Sequence, residues 1–238
     1  MHVDPRGRVR LLVSALAIIL LAGCSNHDDK GMSGVSSNQA DQLNADRSAL
    51  KFDTAHDPPL NADTHFAAGQ LADAQGAWDR GVVQYQAALK LKPNFPEALF
   101  RLGVDYMHLK QYPQAIATWK QYIKATNESA TGYSNLGFAQ YVSGDPAAAE
   151  ASYRKGIDRD PRNQHCRVNY GVMLAMQDRI SDATLQFQAV LSPAEVHYNL
   201  GSVYEQRGKI EQARSEYAEA LKLDPKLTDA QTRLASLK

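Results

Sequence analysis

The sequence has few cysteines, no excess of either charge and no long apolar segment, and each shortage excludes a class of protein. Only Cys24 and Cys166 occur among 238 residues, too few for a disulfide framework. Basic and acidic side chains number 26 each, and 23 and 25 once residues 1–23 are set aside. Such a balance provides no strongly charged surface for nucleic acid or anionic lipid. We therefore expect a protein partner.

The main apolar run, Leu11 to Ala22, is too short to cross a membrane. It has twelve residues, whereas a spanning helix needs about 20. Arg6, Arg8 and Arg10 precede it, and the small residues Ala22 and Gly23 end it. A basic start, an apolar middle and a small-residue end are typical of a secretory signal peptide.

The segment Leu21-Ala22-Gly23-Cys24 closely resembles the bacterial lipoprotein signal. This resemblance implies that Cys24 is diacylated and becomes the N-terminus of the mature protein, since two or more acyl chains anchor a protein stably to a membrane. Ser25 follows in place of the Asp that favours inner-membrane retention, so the resemblance implies outer-membrane sorting in an organism with two membranes. The alternative is an ordinary signal peptide with an incidental cysteine.

The chain changes composition after Cys24. Residues 25–61 are rich in Gly, Ser, Asn and Asp and show no sustained apolar period, so they bury too little surface to offset the entropy of ordering. We predict a lipoprotein signal peptide over residues 1–23, a flexible polar tether over 24–61 and a folded domain over 62–238.

Five similar segments follow one another in the folded domain. Each contains a glycine, and the glycines are 34, 34, 34 and 30 residues apart: Gly69, Gly103, Gly137, Gly171 and Gly201. Around and after each glycine, apolar residues recur at i, i+3, i+4 and i+7 in two runs separated by a short polar break. This spacing predicts two amphipathic helices per segment.

These segments resemble the tetratricopeptide repeat family, and the resemblance covers about residues 62 to 238. It implies an all-α fold, a right-handed superhelical solenoid of about five helix-turn-helix repeats plus a C-terminal capping helix. The repeats are predicted at about 62–95, 96–129, 130–163, 164–193 and 194–227, and the capping helix at 228–238. Aromatic residues in the second helices are expected to fill the space between units: Tyr85, Trp119, Tyr153, Phe187 and Tyr217.

The fourth unit, 164–193, is four residues shorter than the others. Ser192, Pro193 and Glu195 predict an N-cap, a proline at the first helical position and a capping-box glutamate. The next helix therefore begins early, and the second helix of the fourth unit loses about one turn. In the capping helix, Arg233 is expected to face outward.

A concave wall is the usual binding surface of a solenoid. The resemblance places inward-facing side chains at fixed positions of the first helices, and we predict a peptide-binding groove lined by Phe100, Arg101, Val104, Asn135, Phe138, Tyr141, Asn169, Val172, Tyr198 and Asn199. Asparagine amides both donate and accept, so the recurring asparagines suit the backbone of an extended peptide. The alternative is a solvated face without a ligand. Clamping of a terminal carboxylate is not favoured, because Arg101 alone accompanies the asparagines.

Residues with catalytic or metal-binding chemistry are scattered. His108, His165 and His197 belong to three different units, and no phosphate-binding glycine loop, zinc spacing or nucleophile elbow occurs. We interpret Cys166 as a small buried hydrophobe. The sequence therefore predicts no enzyme, cofactor, metal or small-molecule substrate.

Taken together, these features predict a membrane-anchored protein-protein interaction adaptor of the bacterial cell envelope. It would face the periplasm from the outer membrane and hold a peptide or helix of a partner during assembly or secretion. The order of lipoprotein signal, polar tether and repeats resembles the tetratricopeptide lipoproteins of type IV and Tad-type pilus assembly, which makes pilus assembly one candidate pathway. The alternative is a self-assembling structural scaffold lipoprotein without a peptide ligand.

Overall fold

The computed structural model describes residues 60–237, and every regular element in that range is an α-helix. The eleven helices of this range are α1 (Ala62–Ala74), α2 (Trp78–Leu91), α3 (Pro96–His108), α4 (Tyr112–Ala125), α5 (Ala130–Val142), α6 (Pro146–Arg159), α7 (Gln164–Met176), α8 (Ile180–Gln188), α9 (Pro193–Gln206), α10 (Ile210–Leu223) and α11 (Thr228–Ser236). The predicted all-α repeat fold is confirmed. The predicted signal peptide, Cys24 and most of the tether lie outside the described residues. Within residues 60–237, no helix has the length and apolarity that crossing a membrane requires.

Each unit is a pair of helices joined by a tight turn. The helices pack in the pairs α1 with α2 through α9 with α10, and each pair packs on the next. Counted from residues 62, 96, 130, 164 and 194, the fifteenth residue of every unit has a positive φ: Gly76, Lys110, Gly144, Asp178 and Gly208. A left-handed residue ends a helix and turns the chain, and glycine adopts this conformation without strain at three of the five turns.

Polar side chains define where several first helices begin. Asn61, Ser129 and Asn163 each accept a hydrogen bond from the backbone N–H three residues later, at 2.8, 3.2 and 3.0 Å. All three have extended backbone conformations and stand directly before α1, α5 and α7. These are N-caps, which satisfy backbone donors that the first helical turn leaves unpaired.

The recurring aromatic residue lies over the glycine of its own unit. A Cβ atom added to Gly137 would lie 2.9 Å from the ring of Tyr153, and the other four glycines meet the aromatic residue 16 positions later in the same way. These rings therefore pack inside their own helix pair as well, which the expectation that they fill the space between units did not include. The missing side chain of the glycine opens a space inside the helix pair, and the ring fills it. Tyr153 also stacks on Tyr170 of the next unit, with ring centroids 5.7 Å apart.

The buried core runs along the stack in three neighbouring clusters. One joins the first three units around Trp119, the next joins units three to five around Phe187, and the last lies between α10 and α11. Ala230 of α11 is fully buried there. Cys166 is buried in the middle cluster, and its thiol donates to the carbonyl oxygen of Tyr153 at 3.3 Å. The structure thus agrees with the interpretation of Cys166 as a small buried hydrophobe.

The fourth unit is shortened at its second helix, as predicted. Helix α8 has 9 residues, whereas α2, α4, α6 and α10 each have 14. The Ser192 hydroxyl accepts from the backbone N–H of Glu195 at 3.4 Å, and the Glu195 carboxylate accepts from the backbone N–H of Ser192 at 2.8 Å. This reciprocal pair is a capping box that begins α9 early.

Candidate peptide-binding groove

The first helices of the units form one side of the stack. Helix α5 contacts α7, and α7 contacts α9, whereas no comparable contact joins the second helices α6, α8 and α10. Units three to five are therefore closer together along their first helices than along their second helices. A stack with this asymmetry curves, and α5, α7 and α9 lie on its concave side. All ten predicted groove residues lie on α3, α5, α7 and α9.

A row of polar side chains follows the sixth position of successive units. The row consists of Arg101, Asn135, Asn169, Asn199 and, when α11 is counted as the start of a sixth unit, Arg233. Arg233 was predicted only as an outward residue of the capping helix. The signal that identifies it is its spacing, because Arg233 follows Arg101 by the combined length of four units.

Two of the three asparagines are engaged within the protein. Asn169 is only 7% exposed, and its amide donates to the hydroxyl of Ser134 at 3.2 Å. The amide of Asn199 donates to the backbone carbonyl of Glu195 at 2.8 Å. Asn135 is half-buried, and no residue that the structure describes bonds to its amide. The ladder of three free amides is thus reduced to Asn135 and to the Oδ1 atom of Asn169, which is buried without a partner.

Apolar side chains form the floor between these polar residues. Phe100 packs edge-on against Trp119 and Tyr122, with ring centroids 5.4 and 5.7 Å away. Four further predicted residues are half-buried and pack on the core clusters: Val104, Tyr141, Val172 and Tyr198. Phe138 is also half-buried but is not among the side chains packed on those three clusters. Phe138 is therefore the aromatic residue of the predicted groove that lies outside all three described core clusters.

At the N-terminal end of the row, an aspartate lies close to both a tyrosine and the arginine of the row. Oδ2 of Asp73 accepts a hydrogen bond of 2.6 Å from the hydroxyl of Tyr85. Nη1 of Arg101 lies 4.0 Å from the same oxygen, and the Arg101 side chain is 42% exposed. Burial and the bond to Asp73 raise the pKa of Tyr85 well above its ordinary value, so this tyrosine stays neutral.

The C-terminal end repeats this arrangement with different residues. Oε2 of Glu205 accepts a hydrogen bond of 2.7 Å from the hydroxyl of Tyr217, and Nη1 of Arg233 lies 3.5 Å from Oε1 of Glu205. The Arg233 side chain is 44% exposed. An acid, a tyrosine and a half-exposed arginine therefore stand at both ends of the row. Sequence reasoning placed Glu205 among the inward-facing side chains but missed Asp73, which occupies the same position of the first unit.

The middle of the stack contains polar atoms without partners. Besides Asn169 Oδ1, they include the indole N–H of Trp119 and the hydroxyl of Tyr153, both buried and unpaired among the described residues. The acidic residue that pairs with a tyrosine at each end is replaced here by Met107 and Tyr141. Burial raises the pKa of Tyr153 far above its ordinary value. Unpaired buried polar atoms are rare, and these three belong to the units that carry most of the candidate residues.

The histidines and the cysteine are not brought together. His108 stacks on Trp78 with ring centroids 4.1 Å apart, His165 is exposed, and Nδ1 of His197 bonds to Glu216 at 2.8 Å. Burial raises the pKa of Cys166 to about 12, so its thiol is not a nucleophile near neutrality. Over residues 60–237, no group of three or more His, Cys, Asp or Glu side chains is placed to hold a metal ion. What the described arrangement offers is an apolar floor with hydrogen-bonding groups along it.

Tetratricopeptide repeat models match residues 60–130, 135–195 and 194–227. The chain belongs to the tetratricopeptide repeat family. Tetratricopeptide repeat proteins mediate protein-protein interaction, and the fold is typically non-catalytic.

Individual relatives are more distant. The chain is 27% identical over 147 residues to the type IV pilus assembly protein PilF of Pseudomonas aeruginosa, which covers 59% of this chain and 58% of PilF. It is 29% identical over 103 residues to the Hsp70-Hsp90 organizing protein of wheat, Triticum aestivum, which covers 43% of this chain and 18% of the wheat protein. The chain thus spans less than two thirds of either relative.

Solved tetratricopeptide structures share the fold of this chain. MamA superposes with a TM-score of 0.56 at 22% identity, covering 71% of this chain and 94% of MamA. A thermophilic repeat protein of Thermus thermophilus, TTC0263, superposes with a TM-score of 0.55 at 24% identity, covering 74% of this chain and 98% of TTC0263. At these identities the similarity establishes the fold of the repeat domain.

Proposed function

We propose that this tetratricopeptide repeat protein is a lipid-anchored adaptor of the bacterial cell envelope, which holds a peptide or helix of a partner protein against α3, α5, α7 and α9. The observation that carries the proposal is the half-buried ring of Phe138, three residues after the unbonded amide of Asn135 on α5, in a row that ends in half-exposed arginines on both sides. An apolar contact flanked by hydrogen-bonding groups suits a peptide whose side chain enters the floor and whose backbone bonds to the amide.

The anchor in this proposal is Cys24, acylated after cleavage of residues 1–23. The order of basic residues, apolar run and Leu21-Ala22-Gly23-Cys24 supports it, and Ser25 favours the outer membrane with the repeats in the periplasm. PilF, at 27% identity, is named for type IV pilus assembly. Assembly of a pilus is accordingly a candidate pathway for this adaptor.

Photo-crosslinking in living cells tests the groove even while the partner is unidentified. Benzoylphenylalanine in place of Phe138 should crosslink to an envelope protein, because the position faces the bound segment. The same residue in place of Ala151, which is exposed on the second helix α6, is the matched control and should not give that product. Mass spectrometry of the crosslinked peptide identifies the bound segment.

Binding of that segment then tests the two kinds of contact separately. Phe138→Ala should weaken binding of the synthetic segment by about 2 kcal/mol or more, as expected for a central aromatic anchor. Asn135→Ala should weaken it by about 1 to 3 kcal/mol, because a backbone group of the ligand loses its partner. Crosslinking at Ala151 but not at Phe138, or unchanged affinity in both variants, would place binding outside this groove.

A self-assembling scaffold is the second candidate, and one observation favours it. Leu71 of α1 is 62% exposed, although Ala139, Met173 and Val203 at the same unit position are buried by the preceding unit. The outer face of α1 is thus shaped for stacking against another unit. Light scattering of the full chain in detergent at tens of micromolar distinguishes the candidates: a protein monomer disfavours the scaffold, and an oligomer that Leu71→Asp dissociates supports it.

A further inference from the structure

The junction between the first two units departs from the pattern of the other junctions. At the unit position of Gly81 in α2, the four later units have alanines that are fully buried: Ala115, Ala149, Ala183 and Ala213. At the unit position of Asp105 in α3, units three to five have Ala139, Met173 and Val203. Asp105 is fully buried as well. A smaller residue on one helix and a carboxyl group on the next therefore replace an apolar contact at this junction alone.

Two carboxyl groups occupy the space that Gly81 leaves. A Cβ atom on Gly81 would collide with Oδ2 of Asp105 and would lie 2.7 Å from Oδ1 of Asp73. The two oxygens thus face the same point of α2, one from α1 and one from α3. Burial is the main reason that the pKa of Asp105 is raised, and the neighbouring carboxyl group of Asp73 raises it further.

No other group that the structure describes satisfies these oxygens. Both oxygens of Asp105 and Oδ1 of Asp73 are buried without a hydrogen-bond partner, while Oδ2 of Asp73 accepts from Tyr85 of α2. The nearest cation is Arg101 of α3, 4.0 Å from Oδ2 of Asp73. His108, also on α3, stacks on Trp78 and feels the charge of Asp73. An unpaired buried carboxylate is costly, so one carboxyl group must carry a proton.

We propose that Asp105 keeps a proton, which it donates to Asp73, and that this shared proton fastens the first unit to the second, so that the junction loosens as the pH rises. The proposal concerns the coupling of units and does not depend on what the groove binds. Burial above all, and then the neighbouring carboxyl group, raise the pKa of Asp105 to about 8. An opened junction hydrates Asp105 and returns its pKa to about 4.

The pH window follows from these two values. Between about pH 4 and pH 8 the docked junction holds a proton that the open junction releases, so the opening constant rises up to tenfold per pH unit. Below and above that window the dependence vanishes. Tyr85 stays neutral throughout, because burial and the bond to Asp73 raise its pKa. Burial lowers the pKa of His108 below its ordinary value, so His108 is chiefly neutral in the upper part of this window and contributes little to the dependence there.

Amide hydrogen exchange of the full chain between pH 6.5 and pH 8 tests the proposal, after correction for intrinsic exchange rates. Protection of α2 should fall by up to tenfold per pH unit relative to α10. Helix α10 is the internal control, because its unit has the tyrosine and acid pair of Tyr217 and Glu205 but carries Val203 in place of Asp105. Equal pH dependence of α2 and α10 would overturn the proposal.

Variants then assign the effect to the shared proton. In Asp105→Asn the amide donates to Asp73 at every pH, so the extra pH dependence of α2 should vanish. Asp158→Asn, at an exposed position of α6, is the matched control and should retain it. If Asp105→Asn does not fold, Gly81→Ala with Asp105→Ala rebuilds the contact of Ala115 with Ala139 and should also be free of pH dependence. Persistence of the wild-type slope in either variant would overturn the proposal.

Discussion

The hydroxyl of Tyr217 donates a hydrogen bond of 2.7 Å to Glu205. Tyr153 occupies the same position of the third unit, and its hydroxyl is buried without a partner among the described residues. The difference arises at one other position of the unit, where the fifth unit has Glu205 and the third has Tyr141. The tyrosine hydroxyl at this unit position is therefore hydrogen-bonded at the C-terminal end of the row and lacks a hydrogen bond in the middle of the row.

Removal of the two hydroxyls should affect stability differently. Tyr217→Phe should lower the free energy of unfolding by about 1 to 2 kcal/mol, because Glu205 loses a hydrogen bond. Tyr153→Phe should leave that energy unchanged or raise it by up to about 1 kcal/mol, because an unpaired hydroxyl leaves the core. Urea denaturation followed by circular dichroism measures both. Equal losses would show that the Tyr153 hydroxyl is satisfied in solution.

Substitution of Trp119 tests how much the packing of an aromatic ring over the glycine of its unit contributes to stability. It is 2% exposed and lies over Gly103. Trp119→Ala should lower the free energy of unfolding by about 3 to 5 kcal/mol, as large-to-small changes in a core do. Val83→Ala, at a position that is 60% exposed, should change it by at most about 0.5 kcal/mol. Similar shifts in both variants would contradict the assignment of Trp119 to the core.

The capping box at the shortened fourth unit should make a measurable contribution to stability. Ser192→Ala removes the acceptor of the Glu195 N–H and should cost about 1 kcal/mol of stability. Ser215→Ala, in the exposed interior of α10, is the control and should be neutral or slightly stabilising, because alanine has the higher helix propensity. Urea denaturation of the two variants measures the change in the free energy of unfolding. A larger loss of stability for Ser215→Ala than for Ser192→Ala would contradict the stabilising role of the capping box.

The proposed lipid anchor predicts a change of location. Cys24→Ser should move the protein from the membrane fraction to the soluble periplasmic fraction, because the acylated residue is lost. Cys166→Ser should leave the protein in the membrane fraction, since this cysteine is buried among the repeats. Cell fractionation with immunoblotting follows both variants. If the Cys24→Ser variant remained in the membrane fraction, the lipoprotein proposal would be wrong.

The repeat period was sufficient to predict the helix pairs and the shortened fourth unit. The spacing of the glycines indicates which helices pair. The capping box depends only on local hydrogen bonds between Ser192 and Glu195. Local patterns carry such features because the interacting residues are only a few positions apart.

Contacts across units were predicted less well. Asn169 was expected to face a ligand, but it donates to Ser134, which lies 35 residues earlier on a neighbouring helix. The pairing of Asp73 with Arg101 and of Glu205 with Arg233 likewise crosses a unit boundary. The period places these residues at equivalent positions, yet which side chains meet depends on the packing of one unit against the next.

The exposed face of α1 determines the end of the repeat array at which unfolding begins. In a linear array each unit is held by its own stability and by its neighbours. The last unit has a covering helix in α11, whereas Leu71 and Ala68 of the first unit face outward, and the second-unit residue at the position of Ala68, Leu102, is buried. Fraying should therefore begin at α1 and α2 and proceed toward the C-terminus, so that within the repeat domain limited proteolysis first removes the α1–α2 hairpin and leaves a shorter array intact.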